Sequence, residues 1–215
     1  MRSLRRKHTG PDDRVIHQVA SWCLGYPDDV LLGRLDLLRA ALDEQPPGVQ
    51  VTLLSGFVHH LGTADPDGLR RDYIDVFDLS RKQTLYLSYW TDGDTRRRGA
   101  TLGEFKQLYR DSGFLVDLGG ELPDHLPIVL EFSARADPRR GREVLEKYRP
   151  ALELIRLALA ERGSRHADVL AAVCATLPGP APADRESALA LRAPIPKESV
   201  GLEPFDPRLL PINPT

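Results

Sequence analysis

The sequence predicts an all-α fold, with a single domain of about eight to ten helices and an extended proline-rich C-terminal tail. Apolar residues recur three and four positions apart along most of the chain, which is the period of an amphipathic helix. The segments that carry this period are about 12 to 15 residues long, the usual length of a globular helix. Glycine and proline separate them, as expected at helix ends.

Four helices are predicted in the first third of the chain. The first starts after Asp12 or Asp13, either of which can act as the N-cap, and is stopped by Gly25 and Pro27. The second covers residues 28–45, in which leucines form one stripe before Pro46 and Pro47 end the pattern. Two further helical patterns follow over residues 49–62 and 65–79.

The stretch from residue 82 to 113 fits two secondary structures. Leu85, Leu87 and Tyr89 alternate, and Asp92-Gly93 is a common hairpin-turn dipeptide, so a β-hairpin is one interpretation. The second arm contradicts it, because its apolar residues are spaced as in a helix. We therefore predict a helix, a loop and a second helix.

Downstream, a long helical pattern over residues 141–163 should kink or split at Pro150, because proline removes one backbone hydrogen bond. A further helix follows, with Ser164 as a possible cap. After Leu177 the chain becomes proline-rich, with at most one short helix near Glu186 to Leu191. The predicted organisation is a flexible basic N-terminus (1–12), an all-helical domain (13–177) and a proline-rich tail (178–215).

Composition narrows the function classes. The chain has 215 residues, 41% hydrophobic and 28% charged, as in ordinary globular proteins. Its formal net charge of −2 provides no global field for nucleic acid or an anionic membrane, so neither is expected as a partner. Cys23 and Cys174 are far apart, which argues against a disulfide framework or a zinc ribbon and fits a reducing compartment.

Targeting signals are also missing from the sequence. The basic start is not followed by the apolar stretch of a signal peptide. No segment approaches the run of about 20 apolar residues that a membrane-spanning helix requires. We expect a cytoplasmic protein without direct membrane insertion.

The segment ELPDHLP, residues 121–127, raises the question of an acid/base or metal site. If Asp124 is an N-cap, then His125, Leu126 and Pro127 are the first three helical positions, where proline is tolerated. Asp124 would then cap through the amide of Leu126, because Pro127 has no N–H. We interpret the segment as a helix start.

A metal-dependent phosphohydrolase of the HD type is the alternative function. Such all-helical enzymes combine scattered histidines with a His-Asp dipeptide, whereas this chain has Asp124-His125 in the reverse order. The sequence also has no G-x-S-x-G elbow and no glycine-rich phosphate loop. We therefore predict no catalytic residue, no metal ligand and no bound cofactor.

Two further groups of residues have competing interpretations. Arg96–Arg98 and Arg139–Arg142 are flanked by acids, which favours solvated charge over nucleic-acid binding, although such arginines can also orient a peptide or an anionic group. A set of aromatic residues either belongs to the core or leaves a groove for an amphipathic helix of a partner. These residues are Tyr73, Phe77, Tyr86, Tyr89 and Trp90.

Four ordered motifs resemble a known family. YIDVFDLSRKQTLYL, GDTRRRG, LYRDSGF and ELPDHLPIVLEF, preceded by SWCLGYPDD, are similar to the respiratory nitrate reductase delta subunit, a molybdenum-cofactor assembly chaperone of the NarJ type. These proteins belong to a wider TorD-like group of all-helical redox-enzyme maturation chaperones. The resemblance is most specific over residues 13–135. One departure is Asp92, where related chaperones tend to have histidine.

The resemblance implies a chaperone rather than an enzyme. Such proteins bind the apo catalytic (alpha) subunit of nitrate reductase, including its N-terminal peptide, and hold it competent for insertion of the molybdenum cofactor and an iron–sulfur cluster. They leave before the enzyme docks at the membrane. Residues 73–81 and 121–130 would frame the partner-binding face. The candidate groove residues are Tyr73, Phe77, Asp78, Arg81, Tyr86, Tyr89, Trp90, Glu121, Asp124, His125, Leu126 and Leu130.

Overall fold

The fold was described from a computed structural model of the chain, which describes residues 10–80, 83–93 and 95–191. Within these residues all the regular elements are helical, so the all-α prediction is confirmed. The α-helices are α1 (Asp13–Cys23), α2 (Asp29–Leu32), α3 (Leu35–Asp43), α4 (Val49–Thr63), α5 (Pro66–Tyr73), α6 (Leu87–Asp92), α7 (Arg96–Asp111), α8 (Leu126–Glu131), α9 (Pro138–Lys147), α10 (Arg149–Glu161), α11 (His166–Cys174) and α12 (Arg185–Ala190). Two π-helical segments, π1 (Ile74–Asp78) and π2 (Phe132–Ala136), continue α5 and α8.

Most predicted helices are present. The Asp12 carboxylate accepts a hydrogen bond from the amide of Arg14 and so caps α1. The predicted helix, loop and helix are present as α6, a short loop and α7. The long helical pattern around Pro150 is divided into α9 and α10, as predicted. The predicted helix 28–45 is broken instead, because the chain turns at Gly33 between α2 and α3. Glycine has low helix propensity, which favours the break at this position.

Helix α1 lies at the centre of the fold. It packs against α3, α4, α8, π2 and α11, and it buries Ile16, Val19 and Ala20 among them. A second packing centre is α10, which contacts α6, α9, α11 and α12. Because α10 contacts α6, the second centre supports the short helix on which the candidate site is built.

Two polar side chains of α1 face the interior one turn apart. The hydroxyl of Ser21 donates to the carbonyl oxygen of Pro127 in α8, at 2.8 Å. His17 is 2% exposed, and its two ring nitrogens lie 3.0 Å from the hydroxyl oxygens of Ser133 and Thr176. These bonds fix α8 and π2 relative to α1.

The close approach of α9 to π2 depends on Gly141. A Cβ atom at this position would lie 2.4 Å from Cα of Ser133, a distance that requires the backbone to move. The absence of a side chain therefore lets α9 lie against π2 at the level of the Ser133 hydroxyl, which contacts His17.

The segment between α11 and α12 is attached to α10 by two arginines. Arg149 donates to the carbonyl oxygens of Gly179 and Pro180, at 2.9 and 2.7 Å, and Arg156 donates to that of Pro182 at 2.7 Å. The fully buried carboxylate of Glu153 lies between the two guanidinium groups, 3.6 and 2.7 Å from them. The first part of the predicted tail, up to α12, thus packs on the helical domain, while residues 192–215 lie outside the described residues.

None of the described helices combines the length and the apolar composition needed to cross a bilayer.

The burial of His17 predicts a pH-dependent stability. Burial, and secondly the charge of Arg142, lower its pKa from 6.5 to about 4. The unfolded chain therefore binds a proton between these values that the folded chain does not. Stability should be complete above pH 6.5 and should fall by roughly 3 kcal/mol as the pH approaches 4.

Urea unfolding at several pH values measures this loss. His17→Leu should reduce the slope of unfolding free energy against pH in that range, whereas His59→Gln, at an exposed position of α4, should leave it unchanged. An unchanged slope in His17→Leu would contradict a neutral buried imidazole.

Candidate functional site

Asp124 is a fully buried carboxylate at the centre of the candidate site. Its Oδ2 atom accepts hydrogen bonds from the backbone N–H and from the hydroxyl of Ser88, at 2.9 and 2.6 Å. Ser88 is the second residue of α6, where the backbone N–H has no partner within the helix. Asp124 therefore caps α6, a helix 36 residues away in sequence.

The predicted role of Asp124 as the cap of its own helix is wrong. Helix α8 begins at Leu126, with His125 at the N-cap position and no side-chain cap. The amide of Leu126, the donor that Asp124 was expected to satisfy, donates instead to the carbonyl oxygen of Leu85 at 2.9 Å. With that donor satisfied by the backbone, the Asp124 side chain is free to turn towards α6.

Two backbone hydrogen bonds join the segments around Tyr86 and His125. Besides the bond from Leu126, the amide of Leu87 donates to the carbonyl oxygen of Asp124 at 3.1 Å. Together they form an isolated antiparallel bridge between Tyr86 and His125. The rings of these two residues lie 5.3 Å apart, so the bridge sets their spacing at the surface.

Around this bridge, charged and aromatic side chains form one group, joined by hydrogen bonds and ring contacts. The Tyr86 hydroxyl donates to the carboxylate of Glu121. The Arg98 guanidinium lies 5.8 Å from the ring centroids of both Tyr86 and Tyr89, and its Nε atom donates to the Ser88 hydroxyl at 3.2 Å. We call these five residues, with Asp124 and His125, the Asp124 cluster.

Arg98 was not among the predicted site residues. The sequence placed it only in the basic run 96–98, for which solvated charge was the favoured interpretation. Its two neighbours are indeed exposed, whereas Arg98 is half-buried between aromatic rings. The distance of Arg98 from the rings of Tyr86 and Tyr89 depends on how α7 packs against α6. The periodicity of the sequence does not specify this packing.

Further bonds hold α6 and the adjoining loop. The Trp90 indole N–H donates to the carbonyl oxygen of Thr84 at 2.9 Å, and Thr101 of α7 donates to the carboxylate of Asp92 at 2.7 Å. The hydroxyl of Tyr109 donates to the carbonyl oxygen of Pro123 at 2.6 Å. Asp92, the residue that departs from the family pattern, thus joins the C-terminal end of α6 to α7.

Burial shifts the pKa values of two ionisable rings in the cluster. Burial lowers the pKa of His125, although the charges of Glu121 and Asp124 oppose this shift. Burial, followed by the hydrogen bond to Glu121, raises the pKa of Tyr86. The cluster therefore presents a neutral imidazole, a protonated phenol, a guanidinium and a carboxylate, which are groups suited to recognition.

Tyr73 and Phe77 lie in a second group of rings, which we call the aromatic cluster. It comprises Tyr26, Phe57, Tyr73, Phe77 and His166. Tyr73 contacts Tyr26 and Phe77 with centroid distances of 5.5 and 4.8 Å, and its hydroxyl donates to the carbonyl oxygen of Leu24 at 3.1 Å. Burial raises the pKa of Tyr73, and the charges of Asp78 and Glu121 add to the shift, so the two clusters are electrostatic neighbours.

The remaining predicted residues differ in accessibility. Asp78 is exposed, whereas Leu126 and Leu130 are fully buried and contribute to the core beneath the site. Arg81 lies outside the described residues. Among the described residues, no group of three or more histidine, cysteine, aspartate or glutamate side chains is arranged to hold a metal ion.

Comparison with known proteins gives a consistent set of relatives. A family described as nitrate reductase delta subunit matches residues 41–172. The nitrate reductase-like protein NarX of Mycobacterium tuberculosis is 43% identical over 75% of this chain and 24% of its own length. This chain thus spans about a quarter of that relative.

Two shorter relatives are matched over more of their length. The probable nitrate reductase molybdenum cofactor assembly chaperone NarJ of Bacillus subtilis is 31% identical over 77% of this chain and 90% of its own. The chaperone of that name from Escherichia coli is 30% identical over 69% of this chain and 64% of its own. A crystal structure of a putative redox enzyme maturation protein from Archaeoglobus fulgidus shares the fold, with a TM-score of 0.60 at 20% identity, covering 80% of this chain and 98% of that one.

The non-local cap predicts the effect of replacing Asp124. Asp124→Ala leaves the Ser88 amide without its acceptor in a buried place, which should lower the free energy of unfolding by about 1–3 kcal/mol. Hydrogen exchange at the first turn of α6 should accelerate more than exchange at the first turn of α8. Asp124→Asn retains an acceptor and serves as the control, and equal protection of α6 in both variants would contradict the capping role.

Proposed function

Since the chain belongs to the nitrate reductase delta subunit family, we propose that it is a nitrate reductase assembly chaperone. It binds the apo catalytic subunit in the cytoplasm, including the N-terminal segment of that subunit. It holds the subunit competent to receive the molybdenum cofactor and an iron–sulfur cluster. It is not an enzyme and leaves before the completed reductase docks at the membrane.

The observation that carries this proposal is the Asp124 cluster. Tyr86, Tyr89, Arg98 and His125 are partly accessible and Glu121 is exposed, while the carboxylate that fixes them is fully buried. Tyrosine and arginine are the residues that most often dominate protein interfaces, and side chains already held in place lose little entropy on binding. This arrangement supports recognition of a polypeptide segment.

The cluster offers complementary contacts to a peptide. Arg98, stacked between two rings, presents donors in its plane, and Glu121 presents a carboxylate beside the Tyr86 hydroxyl. Aromatic faces between these charges can cover apolar side chains of the bound segment.

The chaperone holds the subunit in its apo form through linkage between binding and conformation. A chaperone that binds only the apo form, and whose free concentration is 100 times the dissociation constant, stabilises that form by about 2.7 kcal/mol.

Calorimetry tests this proposal directly. The chain should bind a synthetic peptide of about the first 20 residues of the nitrate reductase catalytic subunit from the same organism, and a scrambled peptide should not bind. Arg98→Ala should weaken the affinity about tenfold or more, because it removes a partly buried arginine between two rings.

Arg97→Ala is the matched control. Arg97 is the adjacent, exposed residue of α7, and its replacement makes the same change of charge. Equal affinities of the two variants would exclude the Asp124 cluster as the contact surface. The absence of binding to the authentic peptide by the unmodified chain would refute recognition of the N-terminal segment.

A further inference from the structure

A cavity of about 400 Å³ lies beside the aromatic cluster. It is enclosed by the end of α1, by α4, by α5 with π1, and by the turn between α10 and α11. Small-molecule sites in proteins have volumes of roughly 300–1,000 Å³, so the cavity can accept a group of about one or two residues. Its apolar lining is formed by Cys23, Phe57, Leu61, Leu69 and Val76.

One wall of the cavity carries two carboxylates. Asp72 of α5 and Asp75 of π1 both line it, three residues apart. Neither side chain forms an ion pair or accepts a hydrogen bond from another residue in the described parts of the chain. The negative charge on this wall is therefore available to a ligand.

A second wall, formed by the turn between α10 and α11, carries Arg162 and Arg165. Arg162 donates across the cavity to the backbone carbonyl oxygen of Asp75, at 2.9 Å. The Arg165 side chain is exposed and donates no hydrogen bond to another described residue. The walls thus differ in charge, and a ligand that fits both should be dipolar, with a cation towards the aspartates and an acceptor towards Arg165.

Two histidines between these walls are uncharged at neutral pH. Burial, and secondly the neighbouring His60, lower the pKa of His166 to about 4. Burial and the charge of Arg165 lower the pKa of His60, although Asp72 opposes this. Neither imidazole therefore repels a cation that approaches the aspartates.

We propose that this cavity captures the free amino terminus of the partner polypeptide. The α-ammonium group binds Asp72 and Asp75, the first carbonyl oxygen accepts from Arg165, and the first side chain packs on the apolar lining. Capture of a terminal amine is one of the recurring modes of peptide recognition, and a carboxylate is the side chain that forms charge-assisted hydrogen bonds with an ammonium group. The inference rests on the proposed function, because it specifies which end of the N-terminal segment is held.

The cavity adjoins the predicted binding face through the aromatic cluster, since Phe57 and His166 of that cluster line it. Gly25 and Pro27 line it, and Tyr26 between them contacts Tyr73 of the aromatic cluster. The pKa of Tyr73 is raised in part by the charges of Glu121 and Tyr86, so the Asp124 cluster is close by. A chain that leaves the cavity along this face therefore meets the aromatic cluster first and the Asp124 cluster next.

Calorimetry with three ligands tests this inference on the full chain. The ligands are the N-terminal peptide of the catalytic subunit with a free amine, the same peptide N-acetylated, and free methionine. Acetylation removes the charge, so it should weaken binding about tenfold or more. The affinity of the free-amine peptide should also fall as the pH is raised above about 8, where an α-amino group loses its proton.

Variants assign the effect to the cavity. In Asp72→Asn/Asp75→Asn the two peptides should bind with similar affinities. Asp43→Asn, which removes an exposed carboxylate of α3 outside the cavity, should retain the full difference. A thermal melt of each variant establishes that it is folded.

Three results would overturn the inference. Equal binding of the two peptides by the unmodified chain refutes amine capture and leaves the proposed function intact. Binding of neither peptide refutes the proposed function and the inference together. Saturable binding of free methionine that depends on Asp72 and Asp75 and is not displaced by the peptide would assign the cavity to a free amino acid.

Discussion

The hydrogen bonds from Ser88 to the buried carboxylate of Asp124 are the interaction on which the candidate site depends. Helix α6 has six residues, too few to be stable without tertiary support. Asp124 supplies that support at the helix start, through its carboxylate at Ser88 and its carbonyl oxygen at Leu87. This contact sets the positions of the side chains on both sides of it, among them Tyr86 and His125.

A carboxylate with no solvent exposure is costly to bury, and only one of its oxygens is satisfied within the described residues. Oδ2 accepts two hydrogen bonds, whereas Oδ1 has no partner there. Such a group contributes little net stability compared with an apolar residue of similar volume. Its physical effect is to specify one arrangement of segment 124–126 against α6, the one in which the carboxylate accepts from the Ser88 amide.

Periodicity was sufficient to predict the helical domain but not the site. The apolar stripes that predicted α1, α4 and α10 are buried in the structure. A local pattern of apolar residues indicates which face of a helix is buried. Capping rules are also local, which explains why the cap of α1 was narrowed to Asp12 or Asp13, of which Asp12 is the cap, whereas the role of Asp124 was missed. A cap that connects residues 36 positions apart leaves no sequence signal of fixed spacing. The role of Arg98 is non-local in the same way, since it requires α7 to lie against α6.

The central helix connects the core with the site. Ser21 holds α8 through the carbonyl oxygen of Pro127, and His17 holds π2 through the hydroxyl of Ser133. Helix α8 follows directly on the bridge between Tyr86 and His125, so the polar stripe of α1 fixes the segment that carries Asp124 from its C-terminal side. The carboxylate thus meets α6 at a position set by the interior of the protein, and the candidate site gains its rigidity from the hydrogen bonds of α1.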